Sequence, residues 1–226
     1  MATIAMGGRN SMLGRSITLN SALLALFAVV TTSLIAGTFL STKDAIAEQK
    51  RRAEERALLQ IVPREIHDNS MLDDTLPVGP DTKGLGLQKN RTIYLARREN
   101  KIVAAIIPAV APDGYTGKIE MIVGVNIDGS IAGVRVLAHR ETPGLGDKVD
   151  LKKSDWVLGF NARSLSNPTV DNWAVKRDRG VFDQFTGATI TPRAVVKATL
   201  GVLQFVQANR EFIFGKTEPA ANGGES

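Results

Sequence analysis

The sequence predicts an α+β protein: one membrane-spanning helix near the N-terminus, then a single domain of antiparallel strands with flanking helices. Three observations predict it. Ile17 to Leu40 carries no charged residue. Apolar, β-rich runs follow between Thr92 and Ala138, two of them joined by Asp128-Gly129. From Pro192 onward the apolar residues recur at helical spacing. A chain of 226 residues has room for one ordinary domain and an appendage, not for two full domains. With 43% hydrophobic and 23% charged residues it can build a core.

Taken in order, residues 17–40 read as a transmembrane helix. At about 1.5 Å rise per residue this run exceeds the roughly 30 Å hydrocarbon core. It is also longer than the apolar region of a secretory signal peptide, and no small-residue cleavage site precedes Ser41. Its Ser and Thr hydroxyls can bond to their own helix backbone. Residues 41–62 read as a stalk helix, rich in Ala, Glu, Lys and Arg and ended by Pro63. The stalk has a thin apolar stripe of Ile46, Ala53, Ala57 and Ile61, and a solvated role suits it best. Residues 63–215 form the domain. Asn69 to Asn90 reads as loop. Strands are expected over Thr92–Ala96, Ile102–Val110, Lys118–Ile127 and Ile131–Ala138. Asp128-Gly129 makes the last pair a hairpin, because glycine supplies the positive φ of a tight turn. Trp156–Phe160 and Trp173–Val175 are short apolar pieces. Pro192–Asn209 reads as a helix, with Thr191 as N-cap and Pro192 in the first helical position. Residues 216–226 have the composition of a disordered tail.

Composition narrows the chemistry. The chain has no cysteine, which excludes disulfides, iron–sulfur ligation, thiolate zinc sites and cysteine nucleophiles. His67 and His139 are the only histidines, so no multi-histidine metal site can form and no metal is expected. Redox work would need an organic cofactor. The net charge of +5 comes from basic residues interleaved with acids, and aromatics are only 5%. A nucleic-acid surface calls for clustered Lys and Arg with aromatics, so no nucleic-acid partner is expected.

Two segments can carry chemistry. His139-Arg140-Glu141-Thr142-Pro143-Gly144-Leu145-Gly146-Asp147-Lys148 directly follows a strand. Two glycines two residues apart allow a backbone to approach a flat or anionic ligand closely, although the segment also reads as a plain surface turn. It is not a dinucleotide fingerprint, since the third glycine and the following helix are missing. The second segment is Asp183-Gln184-Phe185-Thr186-Gly187-Ala188-Thr189-Ile190-Thr191-Pro192. It reads as a tight turn feeding a helix. Free N–H groups at such a start stabilise a phosphate, and a threonine hydroxyl beside them is a point where an ester can form. Phe182, Phe185 and Leu145 serve either as apolar contacts for a ring or as core. Trp156 and Trp173 read as core. His139 lies either near the ligand or at the surface.

Asp183-x-x-Thr186-Gly187-Ala188-Thr189 resembles the flavinylation motif of the covalent-FMN-binding domain family. Glu141 to Gly146 and Ala111-Pro112-Asp113-Gly114-Tyr115-Thr116-Gly117 are also similar to stretches typical of that family. With one N-terminal span, the chain resembles the G subunits of Rnf electron-transport complexes. The C subunits of sodium-pumping NADH:quinone reductases are a more distant match. The resemblance runs from the anchor to about Phe214.

The resemblance implies a membrane-anchored flavoprotein component of an ion-translocating complex that moves electrons between ferredoxin and NAD. It implies FMN joined to the Thr189 hydroxyl by a phosphodiester bond, with Thr191 as the fallback attachment site. Thr186, Gly187, Ala188, Ile190 and Thr191 would surround the linkage. Glu141, Thr142, Pro143, Gly144, Leu145 and Gly146 would line the flavin, and Asp183 would be read by a flavin transferase. The implied partners are the other Rnf subunits and that transferase. The implied location is the bacterial inner membrane, single-pass, with residues 1–16 as a cytoplasmic tail and the domain on the periplasmic side. The Lys and Arg count after the span leans the other way, but long domains translocate largely regardless of charge. No turnover is assigned to the chain alone. Two other readings are open: an anchored extracytoplasmic binding or scaffold module without flavin, and a threonine-nucleophile hydrolase, for which no convincing base is present.

Overall fold

The computed structural model describes residues 8–215. The expected tail over 216–226, and the first residues of the tail over 1–16, lie outside the described residues. The chain divides into two compact units, up to Ala53 and from Glu54 onward.

The first unit is helical. Helix α1 (Gly8–Leu59) runs without a break through the predicted span and most of the predicted stalk. It ends three residues short of 62, and the solvated role expected of the stalk fails at its end, where Leu58, Ile61 and Val62 are buried. It is long and apolar enough to cross a membrane, with a most apolar window of mean hydropathy 2.2. Over residues 17–40 its apolar side chains face outward all round, including Leu24, Phe27, Leu34 and Ile35, as expected where lipid is the solvent. Threonine hydroxyls inside it bond to the preceding turn of the same helix. Thr31 donates to the Phe27 carbonyl and Thr38 to the Leu34 carbonyl, each at 2.8 Å.

The second unit is a five-stranded antiparallel sheet in the order β1-β2-β3-β4-β5. The strands are β1 (Thr75–Val78), β2 (Arg91–Arg98), β3 (Lys101–Gly114), β4 (Gly117–Asn126) and β5 (Ile131–Ala138). Every strand read from the sequence is present. The added β1 falls in the segment expected as loop. It is four residues long and contains Pro77, which a strand tolerates at a sheet edge, and β1 is the edge. The turn between β2 and β3 places Glu99 and Asn100 at φ 50° and 63°, the left-handed pair of a two-residue hairpin. At the β4–β5 turn Asp128 accepts bonds from the Ser130 N–H (2.8 Å) and hydroxyl (2.6 Å), which holds its carboxyl below the usual carboxylate range.

Both faces of the sheet are covered within this unit. On one face, Ile107, Ala109, Met121, Val123 and Val125 pack with Val195, Val202 and Val206 of helix α2 (Ile190–Ala208). On the other, Ala104, Ile106 and Ile122 pack with Leu58, Ile61 and Val62. Burial on both faces explains why β3 reads as a continuous apolar run rather than an alternating one. Gly124 and Gly133 pair across β4 and β5, and a Cβ on Gly124 would lie 2.2 Å from Ile61 Cγ2. A short helix α3 (Arg210–Phe214) follows α2.

Between β5 and α2 the chain makes short 3₁₀ turns, at Gly146–Val149, Asp155–Phe160, Val170–Asn172 and Lys176–Asp178, and isolated β-bridges such as Val175 with Phe182. An aromatic cluster organises this region. Phe160 stacks on Phe182 with centroids 4.6 Å apart and meets Trp156 edge-on at 5.2 Å. Trp173 lies 5.1 Å from Phe182, and Trp156 meets Phe185 edge-on at 5.1 Å. Phe182 and Phe185 are therefore core residues, the second of the two roles open to them, and Trp173 is core as expected.

Candidate functional site

The two chemical segments come together where the loop after β5 meets the start of α2. Thr142 opens a turn whose carbonyl accepts from the N–H groups of Leu145 (3.1 Å) and Gly146 (3.2 Å). Thr142, Pro143, Gly144 and Leu145 are exposed. The second turn closes with the Ala188 N–H donating to the Phe185 carbonyl at 3.1 Å. Gly187 stands there at φ 80°, a left-handed conformation that a side chain would strain. A Cβ on Gly187 would lie 3.5 Å from Leu145 Cδ2, so the two turns are neighbours. Thr186 and Gly187 are exposed, and Ala188 is half-buried.

Helix α2 begins two residues earlier than expected. Thr189 holds the N-cap position and Ile190 is the first helical residue. This corrects the expectation that Thr191 caps the helix with Pro192 first inside it. Pro192 still falls in the first turn, where a missing N–H costs no helical bond. The physical reason for the shift is the Thr191 hydroxyl. It is fully buried and donates to the Glu141 carboxylate instead of capping. Thr189 is half-buried and makes no side-chain capping bond.

The sequence marks Glu141 only as part of a flavin-lining loop. In the fold it is buried, 4% exposed. One carboxylate oxygen accepts from the Thr116 N–H (3.1 Å) and hydroxyl (3.0 Å), and the other from Thr191. Its own N–H donates to His139 Nδ1 at 3.1 Å, which places His139 at the root of the loop. All three motif segments thus meet at one side chain. Nothing in the spacing of these segments, 25 and 50 residues apart, signals that contact.

Asp183 sits on the outer side of the site with its carboxylate exposed and an ion pair to Lys176 at 2.6 Å. Its carbonyl accepts from the Trp156 indole N–H at 2.7 Å. Arg193, in the first turn of α2, grips Asp178 with two nitrogens, one contact at 2.6 Å. That guanidinium holds the Asp178 carboxyl below the usual carboxylate range. Among the described residues no group of three or more metal-ligating side chains occurs.

A family model described as an FMN-binding domain matches residues 114–204, which contains all of these contacts. A second, described as the RnfG N-terminal region, matches residues 12–61. The chain is 49% identical over 195 residues to the G subunit of the ion-translocating oxidoreductase complex of Pseudoalteromonas atlantica, covering 86% of this chain and 90% of that one. It is 48% identical over 208 residues to the G subunit of the same complex from Pseudomonas aeruginosa, covering 92% and 97%. The chain belongs to this G-subunit family. Within it, this member keeps both matched regions in order along one polypeptide. The crystal structure of Shewanella oneidensis NqrC shares the fold, with a TM-score of 0.51 at 20% identity, covering 72% of this chain and 99% of that one.

Proposed function

We propose that this G-subunit family member is the membrane-anchored electron-relay flavoprotein of an Rnf-type ion-translocating oxidoreductase complex working between ferredoxin and NAD, with FMN joined covalently to Thr189. The family membership and the FMN-binding region support the cofactor and the complex. The observation that carries the attachment site is the contrast between two hydroxyls. Thr191 is buried and committed to Glu141, whereas Thr189 stands free of capping at the start of α2.

The residues present fit a phosphorylated flavin. The leading N–H groups of α2, from Ile190 and Thr191, have no intrahelical acceptor and favour a phosphate at Thr189. Thr142 to Gly146 offer a backbone ledge beside Gly187, with exposed Leu145 as an apolar contact. Gly144 is exposed with open space where a Cβ would stand, so no side chain fills the space a flat ring would take there. FMN supplies the electron chemistry, and the protein fixes its place and surroundings. Asp183, exposed on the turn before the attachment threonine, is accessible for recognition by a flavin transferase. Helix α1 anchors the chain in the bacterial inner membrane, with the domain on the periplasmic side.

The test is direct. The full chain, produced together with a flavin transferase, is expected to keep flavin fluorescence in a denaturing gel, and peptide mass mapping is expected to place the FMN increment on Thr189. A chain without fluorescence overturns covalent attachment, and an increment on Thr191 overturns the site.

Orientation has its own test, because the chain has no cysteine. An Asp81→Cys variant carries a single exposed thiol in the domain. A membrane-impermeant maleimide is expected to label it in spheroplasts, as fully as after lysis. Labelling only after lysis would place the domain in the cytoplasm.

A further inference from the structure

We propose that Glu141 is a positioning residue. Its buried carboxylate ties the β3–β4 hairpin tip, the loop after β5 and the first turn of α2 into one cradle, and it acts on the flavin through those segments without touching it. The inference rests on FMN being held at Thr189.

Four features of the site carry it. First, both carboxylate oxygens are already occupied, one by Thr116 and the other by Thr191. Second, Glu141 forms no ion pair with Lys or Arg among the described residues, so its charge is met by uncharged donors. A buried charge is costly unless every acceptor is satisfied, so losing one donor strains the whole arrangement. Third, the packing leaves no slack. A Cβ on Gly146 would lie 2.7 Å from Glu141 Oε2 and 2.8 Å from Thr191 Oγ1, and one on Gly114 would lie 3.0 Å from Glu141 Oε1. Fourth, the only other polar link described between the hairpin tip and α2 is the Lys197–Asp113 pair, at 3.0 Å. It is exposed and therefore screened and weak. Glu141 is thus the interior joint between segments that share no strand pairing.

This joint also explains the choice of threonine. Glu141 holds Thr191 inward, which sets the start of α2 at Ile190 and leaves Thr189 at its tip.

Amide hydrogen exchange on the full chain, made without the flavin transferase, tests the joint independently of any cofactor. In Glu141→Ala, exchange is expected to rise about tenfold, the scale of one lost hydrogen bond to a charged group. The rise is expected in 115–117, 142–146 and 189–193 together, with 104–110 in β3 unchanged. Glu141→Gln is expected to restore all three segments, since its amide accepts from Thr116 and donates to the Thr191 hydroxyl. Thr116→Val, a milder change, is expected to raise exchange in 142–146 and 189–193 jointly. A rise confined to 142–146 in Glu141→Ala overturns the proposal. So does an unchanged 189–193 segment in Thr116→Val, which decides the matter if the alanine variant does not fold.

The flavin-loaded chain adds a spectroscopic readout. Glu141→Ala is expected to lose the visible circular dichroism of the bound flavin while retaining its mass on Thr189, and Glu141→Gln to keep both. Unchanged dichroism in the alanine variant also overturns the proposal. A wild-type chain without flavin would instead refute attachment at Thr189, and the exchange measurements would still decide the role of Glu141.

Discussion

Replacing Thr189 with valine is expected to bring covalent flavin to background. Valine keeps the shape and β-branching of threonine but has no oxygen with which to form the phosphodiester. The stability cost is expected to be small. An N-cap threonine normally contributes about 1 kcal/mol through its side-chain bond to the helix, and Thr189 makes no such bond. Valine therefore separates attachment from folding. In-gel fluorescence of the denatured chain, read beside its thermal unfolding midpoint, checks the prediction. The expected result is a colourless protein with a near wild-type midpoint. Thr189→Ser, which restores a hydroxyl at the same place, is expected to recover flavin. Fluorescence surviving in the valine variant would mean that another residue carries the ester.

The second large effect lies away from the reacting atoms. Phe160→Ala is expected to destabilise the domain by about 3–5 kcal/mol, the range for truncating a fully buried aromatic side chain. That is a large share of the roughly 5–15 kcal/mol that holds a typical domain folded. Phe160 touches Trp156, Trp173 and Phe182 at once, so one deletion opens the middle of the cluster. The consequence reaches the site. Phe182 and Phe185 bracket Asp183, and Trp156 ties down its carbonyl at 2.7 Å. Loosening the cluster frees the turn that presents Thr186 to Thr189. Urea unfolding of the detergent-solubilised chain measures the loss, and reduced flavin loading is expected to accompany it. Phe160→Leu, which keeps most of the buried volume, is expected to be milder. An alanine variant with wild-type stability would show that the cluster does not support the domain.

Much of the architecture is legible in the sequence because it follows from local rules. A charge-free run has only lipid or a core to go to, and α1 is exposed along its whole apolar length. The strands β2 to β5 are visible because apolar runs, β-branching and the Asp128-Gly129 turn agree with one another. Strand β1 is not visible. Four residues around a proline carry no periodic signal, and only pairing with β2 makes them a strand. The start of α2 is displaced for a related reason. Threonine and proline signal a cap too late in the chain, because a partner fifty residues away claims the Thr191 hydroxyl.

By itself, then, the sequence determined the apolar helix, the strands β2 to β5, the family resemblance and the threonine segment, since each is written in contiguous residues. Tertiary structure alone decided which hydroxyl is free, which aromatic rings are core and what Glu141 does. Those properties belong to contacts between segments far apart in the chain. Burial and hydrogen-bond satisfaction exist only once the segments have been brought together.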